Sequence, residues 1–232
     1  MCGRYTVSSS GETIADLFDL SEVPAVPARF NLAPTQEAPI VRVVAPGAPR
    51  SLDLLRWGLI PYWAKEASIG NRMINARSES VAEKPAYRAS FRKQRCLVVA
   101  DGFYEWKREG KAKQPYLIRR SDRRPFAFAG LWSSWRDPEA VKDGARPEPR
   151  ETFTILTTGA NELIRTLHDR MPVILPRESF ALWLDPAVGN AERLTPLLAP
   201  ASPEGWETVP VSRAVNSPAH DAPDCIEPLA VE

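Results

Sequence analysis

CLVVADGFYEW, residues 96–106, is dense in β-branched and aromatic side chains and lacks the three-to-four spacing of an amphipathic helix, so it reads as a strand. The same character recurs downstream at residues 116–120, 126–135, 152–158, 172–175 and 206–211. Upstream, residues 38–45 and 51–59 flank the turn-forming pair Pro46-Gly47 and read as a hairpin. Helical signals are short and scattered. Residues 10–20 carry a serine cap, Glu12 in the first turn, and Ile14, Leu17 and Phe18 on one face. Residues 78–94 read as two helical pieces broken at Pro85, Asn161 caps a helix running to about His168, and residues 179–184 and 191–198 are two more. Strands dominate and do not alternate with helices as β-α-β. The expected fold is therefore α+β: a single domain with a mostly antiparallel, barrel-like β core and short flanking helices.

The 232 residues suffice for a core without staples, and proline is frequent, at 23, which favours stiff loops over long helices. No run of 18 apolar residues occurs and the opening MCGRYTVSSS is not a signal peptide, so a cytoplasmic location is expected, at the nucleoid in a bacterium or in the nucleus of a eukaryote, with no membrane partner. Cys2, Cys96 and Cys225 form no disulfide framework, and neither His168 nor His220 is read as standing in ligand spacing with a cysteine, so no metal is expected. GxGxxG, P-loop, GxSxG and HExxH motifs are absent, and no cofactor is expected.

The net charge of +1 hides a segregation. Residues 56–95 carry nine basic against three acidic side chains and residues 96–135 eight against four, whereas residues 136–232 are acidic. Five of the seven tryptophans, Trp57, Trp63, Trp106, Trp132 and Trp135, lie in the basic stretch. Cations with interleaved rings suit single-stranded nucleic acid, the cations tracking phosphates and the rings stacking on bases. Tryptophan is also a core residue, which is the expectation for most of these five. Residues 137–150 are charged and contain proline, and read as an exposed loop dispensable for chemistry.

Cys2 is the most informative position. Its small side chain permits removal of Met1, leaving a thiol and an α-amine on adjacent carbons. Such a pair condenses with an aldehyde, first to an imine and then, by closure of sulfur on the imine carbon, to a thiazolidine that an internal cysteine cannot form. With reference pKa values of roughly 7.7–8.0 and 8.5, both groups are reactive near neutrality. Glu105, among the aromatics of Gly102-Phe103-Tyr104-Glu105-Trp106, suits a carboxyl with a raised pKa acting as general acid or base. His168 suits proton transfer near pH 7, Asn75 can orient a reacting group, and Arg77 and Arg4 can hold phosphates. Each also has a plain structural reading: a cysteine that merely follows the start codon, a strand-end ion pair, a satisfied histidine.

The strings Cys2-Gly3-Arg4-Tyr5, Asn31-Leu32-Ala33-Pro34, Arg56-Trp57-Gly58-Leu59-Ile60-Pro61, Asn75-Ala76-Arg77-Ser78-Glu79, Gly102-Phe103-Tyr104-Glu105-Trp106, His168-Asp169-Arg170-Met171-Pro172 and Cys225-Ile226-Glu227-Pro228 occur in the order seen in the SOS response-associated peptidase (SRAP) family, which the chain resembles over essentially its whole length. The resemblance implies binding of single-stranded DNA and capture of abasic sites, with Cys2 as nucleophile, Asn75 orienting, and Glu105 and His168 moving protons in ring opening, crosslink reversal or β-elimination. It further implies a DNA-facing set of Arg4, Arg77, Asn31, Pro34, Trp57, Trp63 and Arg72, and a monomer. A thiol peptidase using Cys2 and His168, and a binding module without chemistry, are the competing readings.

Overall fold

The structure is a computed structural model that describes residues 2–110, 112–140 and 147–229. Among the described residues thirteen strands run in chain order: β1 (Tyr5–Val7), β2 (Arg29–Leu32), β3 (Glu37–Arg42), β4 (Ser51–Trp57), β5 (Asn75–Arg77), β6 (Arg95–Ala100), β7 (Gly102–Glu109), β8 (Ala112–Arg120), β9 (Phe126–Trp135), β10 (Arg150–Gly159), β11 (Arg170–Pro172), β12 (Ile174–Leu175) and β13 (Trp206–Pro210). Five of them close on themselves. β10, β4, β3, β6 and β9 follow one another and β9 pairs back onto β10, making a five-stranded barrel. All its pairings are antiparallel except β10 with β4. A second antiparallel sheet, β13-β8-β7-β1-β2, packs beside it. The α+β, barrel-cored expectation is the observed architecture.

Every residue of β6 is buried and nine of ten in β9, as expected of strands covered on both faces. Tyr5 joins the two layers, its ring set edge-on to Trp57 at 5.2 Å and to Phe128 at 5.8 Å. Helices plug the margins. α1 (Gly11–Phe18) starts at Ser10, whose hydroxyl accepts from the Thr13 N–H, and stacks Phe18 on Phe180 of α4 (Phe180–Leu184). α2 (Arg88–Lys93), α3 (Glu162–Arg165) and α5 (Ala191–Leu194) are shorter than the sequence suggests. The α3 cap is as expected, Asn161 Oδ1 accepting from the Ile164 N–H, but the helix ends before His168.

Two expected strands are each a pair of strands in different pairings. Residues 96–106 split at Asp101, where the chain leaves the barrel for the second sheet. The Asp101 carboxylate holds this corner, accepting from the N–H groups of Ser8 and Ser9 and from the Ser9 hydroxyl. Residues 172–175 split at Val173. β11 pairs with β10 and β12 with β9, while the Val173 N–H reaches Leu156 and its carbonyl serves Ala129. β10 thereby has four partners, β4 then β5 along one edge and β9 then β11 along the other. It is the strand that carries β5, with Asn75, and β11, just after His168, to one end of the barrel.

Between β4 and β5 the chain makes a loop pinned at its base by two glycines. Gly58 has φ of 134°, and a Cβ there would meet the Gly70 carbonyl oxygen at 2.6 Å, so only glycine permits the crossing. The loop presents Tyr62 and Trp63, 65% and 48% exposed.

Candidate functional site

Cys2 precedes β1 and is fully buried. Its carbonyl accepts from Asn75 Nδ2 at 2.7 Å. Asn75 is the first residue of β5, held by the β10 ladder and by the Tyr87 hydroxyl, which donates to its carbonyl at 3.3 Å. Asn75 Oδ1 is buried and has no hydrogen-bond partner among the described residues. On the other side of β1, β7 pairs Phe103 with Tyr5, and the Tyr104 N–H donates to the Arg4 carbonyl at 3.0 Å. That register carries Glu105, 3% exposed, towards Cys2.

Burial pushes the Glu105 carboxyl above the ordinary carboxylate range, against the opposing positive charges of the amino terminus and His168. Burial, followed by the charge of Glu105, raises the Cys2 thiol far above its usual value. His168 follows α3, with its backbone N–H on the Ile164 carbonyl. Its Nδ1 lies 2.9 Å from the Arg170 backbone N–H and 2.8 Å from an Asp169 carboxylate oxygen. Arg170 in turn forks onto Glu79 and donates to the Thr157 carbonyl, tying the His168 segment to the Asn75 segment. Cys2, Asn75, Glu105 and His168 thus converge from four separate parts of the chain.

The raised Glu105 pKa has a measurable consequence. A buried carboxylate favoured in its neutral form stabilises the fold fully below the unfolded-state value, about 4.3, and loses that contribution as pH rises through the folded-state value. Glu105→Gln, neutral throughout, is expected to gain stability relative to the parent between about pH 4 and about pH 8. Denaturant midpoints at the two pH values measure this, and an unchanged difference would show that Glu105 ionises as freely folded as unfolded.

The expected DNA-facing residues divide. Arg72 and Arg77 are exposed and make no carboxylate pair among the described residues. Trp63 is exposed, its indole N–H near the Pro85 carbonyl, and Pro34 sits half-buried in the turn after β2. Arg4 is half-buried. One terminal nitrogen donates to Asn31 Oδ1 at 2.7 Å and to the Val215 carbonyl at 2.8 Å, and the guanidinium lies 6.0 Å from the Trp106 ring. Two expectations need correction. Trp57 is wholly buried, stacked beside Phe153 with its N–H on the Ile74 carbonyl, so no base reaches its ring. Asn31 is equally sealed, its amide donating to the carbonyls of Val215, Ser217 and His220. It braces Arg4 and the chain's last segment. Asn31→Ala, which orphans these groups, is expected to cost about 1–3 kcal/mol in denaturant unfolding.

Tyr5, whose buried hydroxyl has no partner among the described residues and is pushed up by burial, and the Arg170–Glu79 clamp stand outside the expected site set. Both lie within the matched strings, and only the assembled sheets show what they touch.

This barrel and its flanking sheet are shared with a solved protein of Bacteroides thetaiotaomicron, at a TM-score of 0.84 and 26% identity over 99% of this chain and 100% of that one. The family model described as SOS response associated peptidase (SRAP) matches residues 1–218, and the chain belongs to that family. It is 42% identical over 231 residues to abasic site processing protein YoqW of Bacillus subtilis (strain 168), covering 98% of this chain and 99% of that one. It is 34% identical over 229 residues to abasic site processing protein HMCES of Gallus gallus, covering 86% of this chain and 66% of that one. Among the described residues no helix is long and apolar enough to cross a membrane.

Proposed function

We propose that the chain recognises abasic sites in single-stranded DNA and captures them through an amino-terminal Cys2 as a thiazolidine DNA–protein crosslink that shields the lesion. The observation carrying this reading is the bond from Asn75 to the Cys2 carbonyl beside the buried Glu105; the printed names of the relatives point to the same lesion.

Loss of Met1 frees the Cys2 amine, and the ring-opened sugar offers an aldehyde. The amine nitrogen bonds to the aldehyde carbon. One nitrogen proton passes to the oxygen as the carbinolamine forms; Glu105, protonated, then gives its proton to the departing hydroxyl and takes the second proton from the nitrogen, so that water leaves and an imine remains. The sulfur then bonds to the imine carbon while the thiol proton passes to nitrogen. One C–N and one C–S bond form, one water is released, and nothing is oxidised or reduced. In this scheme Asn75 Oδ1 accepts from the amine and holds its lone pair towards the aldehyde, and the His168 imidazole serves sugar ring opening. The same two proton carriers would serve crosslink reversal and strand cleavage by β-elimination. A thiol peptidase requires a thiolate supported by an imidazole; here the group beside the buried Cys2 thiol is the Glu105 carboxyl, which speaks against that reading.

Arg4, Arg72 and Arg77 would hold phosphates, with Trp63 and Pro34 against bases. Affinity for intact single strands is then expected to fall with salt, with a log–log slope of about −2 for three phosphate contacts; a flat response would remove the basic surface from the account. The direct test mixes protein, its free Cys2 terminus verified by mass, with single-stranded DNA carrying one abasic site. A slow band on a denaturing gel is expected, absent with intact DNA and absent after the aldehyde is capped with an alkoxyamine. No band, or a band that survives capping, overturns the proposal.

A further inference from the structure

The turn before and within the 3-10 helix Pro223–Ile226 gathers donors of three kinds outside the Cys2 site. His220 Nε2, an Asp224 carboxylate oxygen and Cys225 Sγ all lie within 4.8 Å of one another. The sequence expectation that neither histidine is in ligand spacing with a cysteine is corrected here: His220 precedes Cys225 by five residues, and the turn folds the two back on each other. From this juxtaposition we infer that His220, Asp224 and Cys225 form a binding site for a borderline divalent cation of the Zn²⁺ type, with a water as fourth ligand.

The donor set selects the ion. An imidazole, a thiolate and one carboxylate suit Zn²⁺ and leave Mg²⁺ and Ca²⁺, which take oxygen ligands, without a cage. Ligand atoms on tetrahedral Zn²⁺ stand about 3.4–3.7 Å apart, so with all three donors within 4.8 Å the Cys225 sulfur has at most about 1 Å to close, while the His220–Asp224 pair, at 2.8 Å, opens by about 0.6 Å. Its frame is already held. The His220 carbonyl accepts from Asn31 Nδ2 at 2.6 Å and the Cys225 carbonyl from the Tyr104 hydroxyl at 3.2 Å. Asp221, between the ligands, accepts from the backbone N–H groups of Phe30 and Asn31 and from Arg29. His220 and Asp224 are half-exposed, 38% and 48%, which gives the ion an entry path.

Without metal, His220 Nε2 bridges both Asp224 oxygens at 2.8 and 2.9 Å, and the Cys225 thiol points to the His220 carbonyl at 3.7 Å. Burial and then the charges of Asp224 and Asp221 raise this thiol; the same negative field attracts a cation that can take the proton's place. Binding releases the thiol proton to solvent, along with the Nε2 proton of whichever imidazole carries it there, and makes three metal–ligand bonds with no change of oxidation state. Its effect would be to staple residues 220–225, and through Asn31 the mount of Arg4, to the second sheet.

The test titrates Co²⁺ into the full chain carrying Cys2→Ala, which removes the amino-terminal aminothiol as a competing chelator. One equivalent should produce a thiolate-to-cobalt charge-transfer band that Zn²⁺ displaces. Cys225→Ser in the same background should abolish the band, and His220→Gln should weaken Zn²⁺ binding by at least about tenfold. Should Cys225→Ser fold poorly, the Zn²⁺-induced rise in Tm, present in the parent and lost in the half-exposed His220→Gln variant, decides. Absence of the band at millimolar Co²⁺, its survival in Cys225→Ser, or an equal Tm rise in His220→Gln would leave His220 and Asp224 as a plain ion pair and overturn the inference.

Discussion

Cys2→Ala is expected to eliminate the denaturation-stable adduct with abasic DNA altogether, not merely to slow its formation. The reason is stoichiometric. Alanine at position 2 keeps the α-amine, so a reversible imine still forms, but no sulfur is present to close the ring. Cys96 and Cys225 are buried internal residues without an α-amine and cannot substitute. Two readouts separate these states. The gel band obtained without reductant should vanish, while a band trapped with borohydride should persist. Glu105→Gln should retain the stable band but form it about 10²–10⁴-fold more slowly, the usual contribution of a positioned acid–base group. A stable, reductant-independent band in Cys2→Ala would move the nucleophile elsewhere and sink the thiazolidine mechanism.

Trp57→Ala and Trp63→Ala should have opposite effects, although the two rings stand six residues apart in one basic stretch. Trp57 is fully buried between Tyr5 and Phe153, and its removal leaves a cavity and takes away one of the two donors to the Ile74 carbonyl, next to Asn75. The expected loss is about 3–5 kcal/mol of stability, with the crosslinking rate falling as Asn75 loses its support. Trp63 is half-exposed, so its truncation should change stability by no more than about 0.5 kcal/mol while weakening single-strand binding by about 1–3 kcal/mol if it stacks on a base. Urea unfolding and fluorescence-anisotropy titration of both variants measure the two quantities. A stable Trp57→Ala protein with impaired DNA binding would reinstate Trp57 as a contact residue.

These two tryptophans mark the limit of what the sequence displays. Both sit beside arginine or lysine and proline in the same stretch, and nothing local says that Gly58 and Gly70 cross and turn one ring inward and the other out. The hairpin of β3 and β4 is legible because its period and its Pro46-Gly47 turn are local, and Ala38 does face Leu55 in the paired strands. β1, β2, β5 and β11 are three or four residues long, too short for a period to emerge. The break at Asp101 is hard to see because apolar, buried residues stand on both sides of it, and only the capture of Ser8 and Ser9 by the Asp101 carboxylate reveals the corner.

The site divides in the same way. The identity of the reagents is a matter of covalent chemistry, and it is readable from residues 2, 75, 105 and 168: an aminothiol once Met1 is gone, an amide, a carboxyl, an imidazole. How firmly the carboxyl and the thiol hold their protons depends on desolvation and on neighbours tens of residues away, and these exist only when β10 brings β5 and β11 to the barrel end and β7 lies against β1. Chain composition thus specifies which bonds can form, whereas the closed barrel sets the dielectric and the neighbours that determine which group carries the proton.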